Sequence, residues 1–394
     1  MQTKIKIVLK SGKDQSIFRM HPWIFSGAIK KIYGDPTDGE LVNVYDNKDE
    51  LLATGHYQNG TIAVRILAFE DIDTTEEFWF KRINSAYKIR EVLGLTESAT
   101  TNAYRLVNAE GDELPGLIID YYNSNIVIQC HSVGMYRNLD KIVSAIKSIY
   151  GEKLLSVYDK SGSTMPFKEQ TDVKNKFLFG NTRDIIITEN GLKFKVDWTD
   201  GQKTGYYIDQ RDSRSLLQRY AEGRNVLNMF CYTGGFSVYA LQGKAELVHS
   251  VDSSAKAIEL TNENVSLNFT NANHESFAVD AFKYFDNIKD KYDLIILDPP
   301  AFAKHHNVLH NALQGYKRLN QIALEQIRSG GLLFTFSCSQ VVSRENFRKS
   351  VFAAAANAKR NVRILHQLSQ PADHPISIFH PEGEYLKGLV LHVE

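Results

Sequence analysis

Residues 225–242 read NVLNMFCYTGGFSVYALQ, and they carry the clearest indication of the fold. An apolar run over 225–230 leads into the glycine pair Gly234-Gly235, and a helical apolar spacing follows the pair. A strand, a glycine turn and a helix in this order are typical of a doubly wound parallel sheet. Because glycine has no side chain, a ligand can approach the turn closely and face the amides of the helix N-terminus. The stretch therefore predicts a nucleotide-type site.

Polar residues follow each of the next strands. Asp252 ends the second strand, in ELVHSVDSS, and Asp280 ends the third, in FAVDAF. The fourth strand runs into Asp298 of YDLIILDPPAF, and the fifth, GGLLFTFSCS, reaches Cys338. The G-x-G-x-x-G spacing of nicotinamide and flavin folds is missing from the glycine turn. Asp252 is placed to accept hydrogen bonds from ribose hydroxyls, and Asp280 to reach an adenine amino group.

The rest of the chain predicts two further parts. Short strands separated by turn signals indicate a small β-rich module over residues 1–70. Residues 71–190 combine a long helical stretch with a hairpin and a second helix, which indicates an α+β middle domain. From 191 to 394, strands alternate with helices, so we predict an α/β domain with a doubly wound sheet.

Composition predicts an ordinary soluble protein. Of the 394 residues, 43% are hydrophobic and 23% charged, and no apolar run reaches the roughly 20 residues that span a bilayer. The three cysteines form neither a disulfide framework nor a metal pattern. We expect a cytoplasmic protein without a membrane or a metal.

Charge is unevenly distributed, although the formal net charge is zero. Residues 1–34 contain six Lys and Arg19 but only one acid, Asp14. Such a basic region can neutralise phosphates, or it can simply be a solvated surface.

The ends of the first four strands, which carry Gly234-Gly235, Asp252, Asp280 and Asp298, together resemble those of the class I S-adenosylmethionine-dependent methyltransferases. The chain also resembles the bacterial ribosomal RNA large-subunit methyltransferase I family, through motifs spread over its whole length. These are HPWIFSGAI (21–29), KTGYYIDQRDSR (203–214), NMFCYTGGFSVYA (228–240), LDPPAF (297–302), FSCS (336–339), ADHP (372–375) and EGEYLKG (382–388).

The resemblance implies an N-terminal PUA-like β-barrel that binds RNA, an α+β middle domain and a Rossmann-like methyltransferase domain. It further implies S-adenosylmethionine as cofactor, large-subunit ribosomal RNA as substrate, a cytosine C5 target and a possible homodimer.

We assign the expected site residues on the same basis. The expected cofactor contacts are Asn228, Phe230, Thr233, Gly234, Gly235, Phe236, Asp252, Ser253, Asp280, Ala281, Asp298 and Pro299. The expected substrate contacts are Gln210, Arg211, Pro300 and Phe302. For Phe302, stacking on an extruded base competes with plain core packing.

Cytosine C5 is a poor nucleophile, so its methylation needs a thiolate that adds to C6 and a base that later removes the C5 proton. Cys338, at the strand end beside Asp298, is the expected nucleophile. Cys130 is expected to be a buried apolar residue, and Cys231, within the glycine turn, to face the cofactor or to pack beneath it. Asp298 is expected to hydrogen-bond N3 or the 4-amino group. The base remains open between Asp298, a bound water and Lys304.

Two other functions remain open on the sequence. An Asp-Pro-Pro motif also occurs in enzymes that methylate amino groups without a cysteine, although here Ala301 separates the motif from its aromatic residue. A non-catalytic RNA-binding assembly factor is the second alternative, but such a protein needs neither the cofactor residues nor the cysteine.

Overall fold

The computed structural model describes residues 4–166, 173–182, 185–303 and 305–394. The backbone divides into two compact units. The first unit comprises Met1–Ile187, Val196–Tyr206 and Ala372–Gly383, and the second comprises Thr188–Lys195, Tyr207–Pro371 and Glu384–Glu394. The domain boundaries at 70 and 190 remain predictions. Among the described residues, no helix is long and apolar enough to cross a membrane.

The first part of the chain forms β1 (Ile5–Leu9), α1 (Gln15–Phe18), β2 (Trp23–Phe25), β3 (Ile29–Tyr33), β4 (Leu41–Tyr45), β5 (Leu51–Tyr57), β6 (Ile62–Ala68), α2 (Glu76–Val92), β7 (Ala103–Asn108), β8 (Leu117–Tyr122), β9 (Asn125–Cys130), α3 (Val133–Arg137), α4 (Leu139–Tyr150), β10 (Ser156–Asp159), β11 (Lys176–Phe179), β12 (Ile185–Glu189) and β13 (Leu192–Val196). The remainder forms α5 (Arg211–Tyr220), β14 (Asn225–Met229), α6 (Gly235–Gln242), β15 (Leu247–Asp252), α7 (Ala255–Ser266), β16 (His274–Ala278), α8 (Ala281–Tyr284), β17 (Leu294–Leu297), α9 (Leu309–Gln326), β18 (Gly331–Ser337), α10 (Arg344–Ala358), β19 (Val362–Leu368) and β20 (Lys387–Val393).

Within the described part of the first unit, β1 to β6 form a six-stranded sheet in the order β2-β6-β5-β4-β1-β3. Alternating apolar residues such as Ile7, Val42 and Val64 turn inward and are fully buried, as a half-buried strand requires. The sheet confirms the predicted β-rich module. The sequence patterns did not predict β2 and β3, because β2 is only three residues long and β3 contains two exposed lysines.

A second sheet of this unit has the order β11-β10-β9-β8-β7 in the described residues. Its β8–β9 hairpin turns at Asn123 and Ser124, both with positive φ (45° and 69°), which is the conformation of a tight hairpin turn. In α4, Leu139, Ile142 and Ile146 are buried on one face, which is the spacing of an amphipathic helix.

In the second unit, the described strands build a seven-stranded sheet in the order β16-β15-β14-β17-β18-β20-β19. The first five strands are parallel to their neighbours, and β20 is inserted antiparallel between β18 and β19. All residues of β17 and β18 are buried, as expected for strands covered on both faces. This sheet confirms the predicted doubly wound α/β domain.

One buried ion pair organises the first unit. Arg90, near the end of α2, binds both carboxylate oxygens of Asp112 at 2.5 and 2.8 Å, and neither side chain is exposed. Its remaining donors bind the carbonyl oxygens of Arg105 (2.6 Å) and Asp373 (2.7 Å). The guanidinium is therefore satisfied, and it fastens the segment around Asp373 to α2.

Arg90→Met should lower the free energy of unfolding by about 3–5 kcal/mol, because it leaves the Asp112 carboxylate buried without its cation. Urea denaturation checks this value. Lys88→Met, on the exposed face of the same helix, should change it by no more than about 0.5 kcal/mol. Equal effects of the two substitutions would contradict the assignment.

Candidate active site

The predicted site residues meet at one edge of the seven-stranded sheet. Parallel strands end at the same edge, so the turns after β14, β15, β17 and β18 lie side by side. Strand β14 has β15 on one side and β17 on the other, although two strands, β15 and β16, lie between β14 and β17 in the chain. Ligands of open α/β sheets bind at such a switch point.

The glycine turn after β14 is tightly built. The amide of Cys231 donates to the carbonyl of Val251 (3.0 Å), and that of Gly234 donates to Cys231 (2.8 Å). Gly234 has a φ of +75°, and a Cβ there would lie 2.6 Å from Cγ2 of Thr261. The position therefore requires glycine both for its backbone conformation and for lack of space.

Asp252 fixes the neighbouring turn. Its Oδ2 accepts from the amide of Tyr232 (3.0 Å) and its Oδ1 from the amide of Ser254 (2.9 Å). The carboxylate is thus held at the sheet edge in the position predicted for a ribose-binding acid. Asp280 caps α8, where its Oδ1 accepts from the amides of Phe282 (3.0 Å) and Lys283 (3.3 Å).

Other predicted cofactor residues lie beneath this surface. The Asn228 amide donates to the Ser237 hydroxyl (2.9 Å), and both side chains are buried. Its Oδ1 has no hydrogen-bond partner among the described residues. Phe236 is buried against Phe336, with 5.6 Å between the ring centroids. These side chains support the glycine turn, and the orphaned oxygen, the fixed Asp252 and the close glycine backbone together fit a polar nucleoside ligand.

The expected catalytic residues lie on adjacent strand ends. Asp298 follows β17 directly, and Cys338 follows β18 directly. The thiol of Cys338 lies 3.9 Å from the carbonyl oxygen of Pro299, and it is half-buried. The Gln210 amide donates to Oδ2 of Asp298 at 3.0 Å. The structure therefore brings Cys338, Asp298 and Gln210 together.

Buried side chains hold the loop after Asp298 in place. Ser339 Oγ accepts from the amide of Ala303 (3.3 Å) and lies 3.1 Å from the hydroxyl of Tyr316. The ring of Phe302 packs against Tyr316, with 4.7 Å between centroids. Of the two roles expected for Phe302, stacking on a base and core packing, this contact corresponds to core packing. Pro300 is exposed at the same edge, and Lys304 lies outside the described residues.

Arg211 belongs to a buried charge cluster. Its Nε lies 3.7 Å from Glu189, and Arg214 binds the same carboxylate with two nitrogens at 2.9 and 2.8 Å. Arg214 also donates to the carbonyl of Tyr207 (2.9 Å). Arg211 and Arg214 thus attach the segment that carries Gln210 to the Glu189 carboxylate.

Two site residues escaped sequence reasoning. Lys387 starts β20, is buried, and donates to the carbonyl of Ser339 at 2.6 Å. Burial lowers the pKa of Lys387 to about 8, against the opposing influence of nearby Cys338. Tyr207 has its pKa raised by burial and then by Tyr232, Asp298, Asp209 and Cys338, which places it at the same edge. In the sequence, the only sign of either residue is that Lys387 stands at the start of an apolar strand.

The other two cysteines differ from Cys338 in their environment. Burial raises the pKa of both the Cys130 and the Cys231 thiol well above its ordinary value. Both therefore stay protonated at neutral pH, and a protonated thiol is not a nucleophile.

A family model described as an S-adenosylmethionine-dependent methyltransferase matches residues 164–377, and a PUA-like domain model matches residues 7–69. A protein named ribosomal RNA large subunit methyltransferase I from Tolumonas auensis is 41% identical, with 98% of both chains covered. A protein of the same name from Aeromonas hydrophila is 40% identical, again with 98% of both covered. A crystal structure of a proposed methyltransferase complexed with SAH superposes with a TM-score of 0.85 at 26% identity, covering 98% of this chain and 100% of that one.

Fold and site together define an S-adenosylmethionine-dependent methyltransferase with an N-terminal PUA-like domain. More particularly, the chain belongs to the ribosomal RNA large subunit methyltransferase I family. Its cofactor is S-adenosylmethionine, which supplies an electrophilic methyl group when bound.

Gly234→Ala should weaken S-adenosylmethionine binding at least about tenfold, because the new Cβ collides with Thr261 and displaces the turn. Calorimetric titration of the cofactor measures this change. Gly330→Ala is the matched control, since Gly330 also has a positive φ (+80°) but has open space around it. The role of the turn would be refuted if both variants bound the cofactor like the wild type.

Proposed function

We propose that this protein transfers a methyl group from S-adenosylmethionine to C5 of a cytosine in large-subunit ribosomal RNA, through a covalent adduct with Cys338. The observation that carries the proposal is the half-buried thiol of Cys338 at the strand end next to Asp298. The names of the relatives, which are ribosomal RNA large subunit methyltransferases, support the substrate class.

The chemistry requires a nucleophile at this edge. The Cys338 thiolate forms a bond to C6 of the cytosine, and the electron pair of the C5–C6 double bond then makes C5 nucleophilic. After C5 is methylated, a base removes its proton, the double bond returns and the sulfur–C6 bond breaks. The thiol is thereby regenerated, so one cysteine suffices for every turnover.

Asp298 has the complementary role in this proposal. Protonated or hydrogen-bonded, its carboxyl group holds N3 or the 4-amino group and offsets the negative charge that develops on the ring. The hydrogen bond from Gln210 at 3.0 Å orients one carboxyl oxygen of Asp298. Gln210 is thus a positioning residue that acts through Asp298.

Lys387 is a further member of the proposed machinery. Its ammonium donates a hydrogen bond to the carbonyl oxygen of Ser339, the residue after Cys338. In opposition to the effect of burial, the charge of Cys338 raises the pKa of Lys387. A buried cation at this place favours the thiolate over the thiol. With a pKa of about 8, the lysine is cationic at neutral pH and loses its charge as the pH rises above that value.

Exposed cations in residues 1–34 support an RNA partner. Lys4 pairs with Asp71 and Asp73 at 2.6 and 2.9 Å, and Lys6 pairs with Asp49. The exposed cations of the region are Lys10, Lys13, Arg19, Lys30 and Lys31. Exposed rings of Phe18, Phe25 and Tyr33 lie among them in the sequence, and such rings can stack on unpaired bases. We expect RNA to bind here, and a cytoplasmic location and a homodimer remain predictions.

Cys338→Ala should abolish methyl transfer to ribosomal RNA, with a loss of at least about a thousandfold, while cofactor affinity stays unchanged. Incorporation of labelled methyl groups followed by nucleoside analysis measures both rate and product. Cys130→Ala is the matched control, because it also removes a cysteine thiol, but one that is fully buried.

The nucleoside analysis also separates the alternatives. A 5-methylcytosine product that persists in Cys338→Ala would refute the covalent mechanism. An N4-methyl product would favour amino-group transfer by Asp298, and no incorporation into any RNA by the wild type would favour an assembly factor.

Lys387→Met should shift the alkylation of Cys338 by iodoacetamide to higher pH, because the thiolate loses a neighbouring cation. The rate of alkylation against pH, in a Cys130→Ala and Cys231→Ala background, measures this shift. Lys387→Arg should restore most of the wild-type profile, since it returns the charge. An unshifted profile in the methionine variant would limit Lys387 to a structural role.

A further inference from the structure

Three metal-binding side chains converge in the first unit, away from the methyltransferase site. His21 precedes β2, whereas His380 and Glu382 belong to the segment Ala372–Gly383 of the same unit. Oε2 of Glu382 lies 3.6 Å from Nε2 of His21 and 3.8 Å from Nε2 of His380. The three ligand atoms all lie within 4.8 Å of one another.

His380 presents a buried nitrogen to this cluster. Its side chain is only 3% exposed, and its Nε2 has no hydrogen-bond partner in the part of the chain that the structure describes. A buried polar atom without a partner costs free energy and needs an explanation. Trp23 packs on the imidazole at 4.3 Å between centroids, so the ring is held with this nitrogen toward His21 and Glu382.

The distances suit a shared ion better than direct hydrogen bonds. Hydrogen bonds between nitrogen and oxygen are about 2.7–3.2 Å long, so the carboxylate at 3.6 and 3.8 Å is too far from both imidazoles. Two ligands on a tetrahedral ion with bonds of about 2.0–2.1 Å are separated by roughly 3.3–3.5 Å. Small side-chain adjustments bring all three atoms to that separation.

The surroundings also favour a cation. Nδ1 of His21 lies 3.2 Å from the amide nitrogen and 3.3 Å from the carbonyl oxygen of Trp23, and these contacts orient the imidazole. The Trp23 indole donates to Glu110 at 2.8 Å, which adds a second carboxylate near the cluster.

We propose that His21, His380 and Glu382 form a site for a first-row transition metal ion, with Zn²⁺ as its probe. Two imidazoles and one carboxylate are donors that suit Zn²⁺ and not Mg²⁺ or Ca²⁺. Three protein ligands leave one coordination position for water or an outside ligand. The ion would tie the entry to β2 to the segment that also carries Asp373, and it would stabilise the first unit by binding only the folded state.

Sequence motifs did not indicate this site. His380 and Glu382 are two residues apart, but His21 lies at the other end of the chain, so no ligand spacing is recognisable. The adjacent pair His305-His306 lacks the further spaced ligands of a zinc site, which is why the sequence predicted no metal.

Isothermal titration of the untagged full-length chain with Zn²⁺ tests the proposal, after metal has been removed by a chelator. The wild type should bind about one equivalent and show a higher thermal midpoint with the ion. His380→Phe keeps a ring beneath Trp23 and removes the ligand nitrogen, so affinity should fall at least about tenfold. Glu382→Gln should weaken binding in the same direction, and His310→Ala, which removes an exposed histidine elsewhere, should leave it unchanged.

Quenching of tryptophan fluorescence by Cu²⁺ locates the ion independently, because Trp23 adjoins the cluster while Trp79 and Trp198 are buried elsewhere. The wild type should be quenched at about one equivalent, and Trp23→Phe should lose that response. The proposal fails if His380→Phe binds Zn²⁺ as tightly as the wild type, or if His310→Ala loses binding equally. Circular dichroism of each variant shows whether it is folded, and a folded His380→Phe protein that binds normally overturns the site.

Discussion

The pairing of β14 with β15 on one side and β17 on the other determines where everything else in the methyltransferase unit lies. The chain must leave β14, build two strands outward and return across it before it adds β17 and β18. Parallel strands end at one edge, so the turns after them are adjacent although they are far apart in sequence. Gly234, Asp252, Asp298 and Cys338 share that edge for this reason.

Several buried polar groups at this edge are paired with neighbours, although Oδ1 of Asn228 has no hydrogen-bond partner among the described residues. Glu189 neutralises Arg214, Gln210 orients Asp298, and Ser339 supports the loop that follows Asp298. Leaving such groups unpaired in a low dielectric would cost several kcal/mol. The site is therefore organised by the chain before any ligand arrives, which is the condition for electrostatic stabilisation of developing charge.

Much of the fold follows from local pattern. The apolar runs of β17 and β18 predict buried parallel strands, and the turn signal at Asn123 to Asn125 predicts the β8–β9 hairpin. The strands β2, β3 and β20 were less evident, because a short or partly charged strand has no periodicity of its own. Their place depends on the neighbours with which they pair.

By itself the sequence determined the class of fold, the glycine turn and the acids at the strand ends, because each depends on residues adjacent in the chain. It also pointed to Cys338, since pyrimidine C5 chemistry needs a thiol at a strand end. Three contacts became evident from the folded chain alone: Lys387 begins β20 beside Ser337, Phe302 packs on Tyr316, and the ring of His21 contacts that of His380. Each of those contacts joins residues of different elements or loops, and a linear pattern carries no information on which such side chains become neighbours.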